Sequence, residues 1–165
     1  MLTKEQYLKI KNYFSSGKPQ MYTLKFVYKI LPIFVFISYP LLLGYLYLKG
    51  DGRLIRSITV PLGVFVTVTI IRKFINCQRP YEKFDIQPLI PKDTKGKSFP
   101  SRHTASAAVI GMTFLYINVP LGIVFLIISV LIGLSRICGG VHFPRDTAAG
   151  FLYAVIMSAV MFYLF

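Results

Sequence analysis

Apolar and polar positions alternate along this chain in blocks rather than residue by residue. Residues 30 to 48, 54 to 71, 120 to 135 and 147 to 165 are long apolar runs. At about 1.5 Å of rise per helical residue, runs of this kind suit a bilayer core of roughly 30 Å. A fifth run, 104 to 119, is shorter and richer in Ala, Gly and Thr. The pattern predicts an all-α membrane protein with about five transmembrane helices in a bundle. The first residues, "MLTKEQYLKIKNYFSSGK", are charged throughout and lack the apolar centre of a cleavable signal. Leu2, Tyr7, Leu8, Ile10, Tyr13 and Phe14 instead fit one apolar face of an amphipathic helix lying on the membrane. The expected organisation is an interfacial segment over residues 1–24 and a single transmembrane domain over 25–165.

Composition narrows this further. The chain has 165 residues, 55% of them hydrophobic, with a mean hydropathy of +0.60, which excludes an ordinary soluble domain. Nineteen Lys and Arg stand against six Asp and Glu, a formal charge of +13. Such a balance calls for an anionic partner. In a chain this apolar, that partner is anionic lipid or a phosphorylated substrate, and no nucleic acid is expected. Cys77 and Cys138 fit no metal-binding spacing, so neither a metal nor another cofactor is expected.

Topology then gathers the polar residues. The runs 104 to 119 and 120 to 137 are separated only by "INVP", with Pro120 suited to the start of a helix, so they must form a tight antiparallel hairpin. Residues 103 and 136 therefore share one membrane face. The polar connection from Pro80 to Pro100 has no apolar run long enough to recross, which brings Arg72, Lys73 and Arg79 to that face. "ICGGVHFPRD" returns without a crossing and adds His142 and Asp146. The far face carries only Lys49, Asp51, Arg53, Arg56 and the C-terminus. Positive-inside counting would make the crowded face cytoplasmic, and it accounts for Lys4, Lys9, Lys11 and Lys18. It does not select histidines or an aspartate at helix mouths.

Those residues permit specific chemistry. Pro144 suits a first helical turn, which sets Asp146 one turn beyond His142, where it can accept from one ring nitrogen. The other nitrogen is then free as a base or nucleophile. The plainer alternative is that the pair merely caps a helix. In "SFPSRHTASAA", Pro100 and Ser101 read as a helix start whose free N–H groups face an anion, with Ser101 as a simple N-cap the competing reading. His103 lies in the first turn. Arg72, Arg79, Arg102 and Arg136 add guanidinium groups, which grip phosphate oxygens in pairs, although any one of them alone is more often an interfacial anchor. Together they equip a site for phosphoryl transfer through a phosphohistidine.

The order R-x6-R-P at 72 to 80, P-S-R-H at 100 to 103 and S-R-x5-H-x3-D at 135 to 146 resembles the three-part signature of the type-2 phosphatidic acid phosphatases, relatives of vanadium haloperoxidases. The third part matches in Ser135, Arg136, His142 and Asp146. The resemblance runs from about residue 54 to the end. It implies a haloperoxidase-like helical core and metal-independent catalysis. It also implies His142 as nucleophile, Asp146 as its partner, His103 as the acid for the leaving oxygen, and Arg72, Arg79, Ser101 and Arg136 as the phosphate cradle. Two positions depart from the pattern. The family's first lysine falls on Arg72 by spacing, with Lys73, one residue late and rotated by about 100°, as the alternative. Arg102 stands where the family has glycine, so its side chain either swings outward toward a second anionic group or alters the backbone.

The expected function is hydrolysis of a lipid phosphate or diphosphate monoester: an isoprenyl diphosphate, phosphatidylglycerol phosphate, phosphatidic acid or a lipid A phosphate. The alternative is a lipid-anion binder or transporter that does not cleave its ligand. A multi-pass location in the cell membrane follows, with the site expected on the extracytoplasmic face, as the resemblance implies. On that face Cys77 and Cys138, each inside a motif, could pair.

Overall fold

A computed structural model describes residues 2–164, and among them every regular element is a helix. Met1 and Phe165, the outer ends of the first and last expected segments, lie outside that range. The helices are α1 (Lys4–Ser15), α2 (Lys18–Leu48), α3 (Leu54–Ile75), α4 (Pro80–Phe84), α5 (Arg102–Ile117), α6 (Val119–Cys138) and α7 (Pro144–Tyr163). Four of them, α2, α3, α6 and α7, are long and apolar enough to cross a membrane. Their outward faces carry large exposed side chains such as Ile33, Leu41, Leu62, Ile127 and Leu152. A surface of this kind is stable only against lipid or another apolar partner.

Helix α5 explains its own weak hydropathy. Residues Thr104 to Phe114 are all buried, because α5 is wrapped by α2, α3, α6 and α7. Small residues are what such a central helix needs, and few of its side chains meet lipid. Val60, Val64 and Val68 of α3 pack on α5 together with Ala154 and Phe162 of α7. On its other side Val35, Leu42 and Leu46 of α2 meet Phe125 and Ile132 of α6. The hairpin to α6 turns at Asn118, whose side chain accepts from the Leu121 N–H at 3.0 Å. A Cβ on Gly122 would lie 2.2 Å from Leu115 Cα, so only glycine allows so close a pairing.

Prolines inside the long helices serve the packing. A proline has no N–H, so the carbonyl four residues earlier loses its helical donor. Pro32 frees the carbonyl of Tyr28, and Pro61 frees that of Ser57. Arg136 Nη2 donates to the first at 3.1 Å, joining α6 to α2, and Tyr39 Oη donates to the second at 2.8 Å, joining α2 to α3.

At the N-terminus, Thr3 and Gln6 close a reciprocal cap and α1 forms as the amphipathic pattern predicts. The break falls at Ser16 and Gly17, and residues 18–24 form the first turns of α2. Cys77 and Cys138 are both free thiols.

Candidate active site

The site forms where three chain segments meet at one end of the bundle. Arg72 sits in the last turn of α3, Arg79 is the residue before α4, and Arg136 is in the last turn of α6. Arg102 and His103 open α5, and His142 lies in the short connection from α6 to α7. All six line one cavity of ≈ 390 Å³, together with Lys73, Lys92 and Lys97. The lining thus holds seven cations, the four arginines and three lysines, and no carboxylate. Asp146 and Ser101, the remaining expected residues, stand behind this wall rather than in it.

Asp146 is fully buried in the first turn of α7. Its Oδ2 accepts from the Phe143 N–H at 3.0 Å, which caps α7, and from Ser98 Oγ at 2.5 Å. His142 Nδ1 lies 3.6 Å from the same oxygen and 3.3 Å from Ser98 Oγ. Burial pushes the His142 imidazole down to about 4, against the opposing pull of Asp146, with Arg79 and Arg72 adding to the decrease. At neutral pH the ring is therefore uncharged and carries a free lone pair.

Ser101 is buried, and its side chain makes no cap bond to α5. Its hydroxyl accepts from Thr104 Oγ1 at 3.0 Å and its N–H donates to the Asp146 carbonyl at 2.7 Å. The residue therefore locks α5 to α7. The first-turn N–H groups of α5, which have no intrahelical acceptor, remain as donors near the cavity.

The arginines are held by backbone carbonyls. Arg72 Nη1 donates to Pro100 O at 2.5 Å and Ser98 O at 3.4 Å. Arg79 uses Nε on Gly96 O at 3.1 Å and Nη1 on Val141 O at 3.2 Å. Arg136 lies 3.7 Å over the Tyr28 ring, and its buried Nε has no partner. Arg72 is buried and tied to the second motif, whereas Lys73 is exposed at the rim. Both line the cavity. Arg102 is exposed and its guanidinium lies 5.7 Å from the Phe65 ring centroid, swung toward α3. Lys92 is pulled down by burial and by the nearby arginines Arg79, Arg136, Arg102 and Arg72. These cations therefore repel one another, and an anion would relieve them.

Beyond Phe65 an apolar groove of ≈ 350 Å³ runs between α2, α3 and α5, lined among others by Phe36, Tyr39, Leu62 and Val109. Among the described residues no group of three or more His, Cys, Asp or Glu converges as a metal site would require.

Two contacts were not readable from the motifs. Ser98 sits between His142 and Asp146, although the signature begins two residues later. Tyr7 of α1 donates its hydroxyl to the His142 carbonyl at 2.9 Å. Only its place on the apolar face of α1 hinted that it would be buried.

Residues 53–165 match the PAP2 superfamily. The chain is 29% identical over 134 residues to the undecaprenyl-diphosphatase BcrC of Bacillus subtilis (strain 168), covering 78% of this chain and 68% of the relative. It is 32% identical over 103 residues to the bacitracin transport permease protein BcrC of Bacillus licheniformis, covering 60% of this chain and 51% of the relative. Aquifex aeolicus LpxE superposes over 86% of this chain and 93% of its own, with a TM-score of 0.63 and 24% identity. A transmembrane PAP2 type phosphatidylglycerolphosphate phosphatase from Bacillus subtilis covers 94% and 90%, at 0.51 and 22%. At these identities the two structures speak for the fold alone.

Proposed function

The chain belongs to the PAP2 superfamily, and on that footing we propose that it is a membrane lipid phosphatase acting through a phosphohistidine on His142. One observation carries the reading. An uncharged imidazole, backed by a buried carboxylate, faces a cavity with seven cations and no carboxylate. A binding protein needs the cations but has no use for an oriented nucleophile.

In this reading His142 Nε2 attacks phosphorus while Arg72, Arg79 and Arg136 take the charge building on the non-bridging oxygens. The nitrogen to phosphorus bond forms as the bond to the leaving oxygen breaks, and His103 gives that oxygen its proton. Burial and the surrounding cations hold the His103 imidazole down to about 3, so in this reading it takes up that proton with the anionic headgroup, whose charge offsets theirs. Water then attacks the phosphohistidine, His103 takes back a proton, and inorganic phosphate leaves with the imidazole restored. Asp146 holds the ring and offsets its positive charge in the intermediate. Ser101 contributes by fixing α5 against α7.

The favoured substrate is a lipid diphosphate. Lys73, Lys92, Lys97 and Arg102 exceed what one phosphate engages, and Arg102 swings outward as a second anionic group would require. Phe65 also lines the apolar groove, so Arg102 marks the boundary between headgroup and tail. An isoprenyl diphosphate fits this division, in keeping with the name of the Bacillus subtilis relative.

We place the site on the extracytoplasmic face. Arg72, Arg79 and Arg136 are buried around the cavity, which discounts them as topology markers. A reporter fused to the C-terminus would then be cytoplasmic.

A second reading is a non-catalytic binder or transporter of lipid anions, as the name of the Bacillus licheniformis relative suggests. Purified protein in detergent with EDTA, offered an isoprenyl diphosphate, phosphatidylglycerol phosphate, phosphatidic acid and a lipid A phosphate, separates the two. Phosphate release that disappears in His142→Ala supports the phosphatase. Release that survives the substitution overturns the mechanism, and no release from any lipid favours the binder.

A further inference from the structure

Ser98 belongs to none of the motif positions, yet it is fully buried between the two residues on which the proposed chemistry depends. Its Oγ lies 2.5 Å from Asp146 Oδ2 and 3.3 Å from His142 Nδ1. The direct separation of His142 Nδ1 from Asp146 Oδ2 is 3.6 Å, longer than the ordinary N–H···O limit of about 3.2 Å. The carboxylate thus lies nearer to the serine hydroxyl than to the imidazole it orients.

Proton counting decides the direction of each bond. A carboxylate only accepts, so the 2.5 Å contact uses the single hydroxyl proton of Ser98. The oxygen then has lone pairs left and no second proton, so its contact with His142 requires the ring to donate. The ring proton therefore sits on Nδ1, and Nε2 keeps its lone pair. The reverse arrangement, with Ser98 donating to Nδ1, would leave two acceptors 2.5 Å apart with no proton between them.

The main chain of Ser98 is held as firmly as its side chain. Its N–H donates to the Cys77 carbonyl at 2.9 Å, and its carbonyl accepts from Arg72 Nη1 at 3.4 Å. Cys77 and Arg72 lie in the first motif, Asp146 and His142 in the third, and the second motif begins two residues after Ser98. One residue therefore transmits the position of all three segments to the imidazole.

We propose that Ser98 is a positioning residue for the nucleophile, bridging Asp146 to His142 and fixing the imidazole in the tautomer with a free Nε2. The proposal rests on the reading of His142 as nucleophile, and one of its two readouts needs no activity. The chain has two histidines, so imidazole-15N labelling gives two ring systems, which a His103→Gln variant assigns. At pH 7 the wild-type protein in detergent should show His142 protonated on Nδ1. Ser98→Ala should shift the ring toward the Nε2–H form and lower kcat for phosphate release by about ten- to a hundredfold, with KM nearly unchanged. Ser98→Cys, which fills the space with a weak donor, should follow Ser98→Ala rather than wild type. A Ser98→Ala protein with wild-type tautomer overturns the proposal, whether its activity is kept or lost. If wild-type protein hydrolyses no lipid phosphate, the phosphatase reading fails while the tautomer comparison still decides the role of Ser98.

Discussion

The Tyr7 hydroxyl donates to the backbone carbonyl of His142 at 2.9 Å, tying the N-terminal helix to the loop that carries the proposed nucleophile. The Tyr7 ring packs on Phe84 and Phe143, at centroid distances of 5.9 and 6.1 Å. Burial, with Asp146 nearby, pushes the phenol up, so it remains a donor across the working pH range. The family match begins at residue 53, so this support comes from outside the matched segment.

Tyr7→Phe keeps the ring contacts and removes the one hydrogen bond. The buried carbonyl left behind should cost about 1–2 kcal/mol of stability. It should also lower kcat more than it raises KM, because the loop loosens while the arginines stay in place. Thermal unfolding and steady-state kinetics on the purified variant check both. Unchanged kcat would mean that α1 supports the fold but not the site.

His142 gives a prediction in pH. Its folded value of about 4 lies below the ordinary histidine value of about 6.5. Between the two the unfolded chain binds a proton that the folded chain does not, so stability falls as pH drops through 6.5 toward 4. Above 6.5 this contribution is constant. The ligand-free ring should stay neutral at pH 5 in an NMR titration of the labelled protein. A midpoint near 6.5 would contradict the buried, neutral nucleophile.

Arg102 is the residue on which substrate choice should turn. Arg102→Gly restores the family residue and removes an exposed cation from the cavity lining. Its KM for a lipid diphosphate should rise about tenfold, the scale of one charge-assisted contact, while a monophosphate of the same tail is little affected. Equal effects on both substrates would end the argument for a second phosphate subsite.

The helical bundle and the grouping of the polar residues at one of its ends were both legible in the sequence. Motif spacing and helix counting brought His142, His103 and four arginines to one face because such arguments depend only on crossings and helical turns. Crossings and helical turns do not distinguish α5 as the buried axis of the bundle. Hydropathy measures contact with lipid, and α5 has little of it. Nor could they find Ser98 or Tyr7, whose partners lie 44 to 135 residues away in sequence. Pro32 is a sequence signal for one further contact. A proline inside a helix leaves a free carbonyl, and here that carbonyl holds Arg136.

Gly150 tests whether α5 and α7 must approach as closely as they do. A Cβ at this position would lie 2.5 Å from the Ser101 carbonyl oxygen, a distance that only backbone movement can relieve. The helices that would part carry His103 on one side and Asp146 on the other, linked by the Ser101 N–H to the Asp146 carbonyl at 2.7 Å. Gly150→Ala should therefore cost about 1–3 kcal/mol as an overpacked contact, despite alanine's better helix propensity. It should lower kcat as well, since Asp146 moves with α7. Gly63→Ala is the matched control: there the nearest atom is Met161 Cε at 3.7 Å, so the helix gains propensity without a clash. Stability that falls in the first variant and holds or rises in the second would show that glycine at 150 sets the spacing of the site. Equal behaviour would show that α7 can shift without consequence.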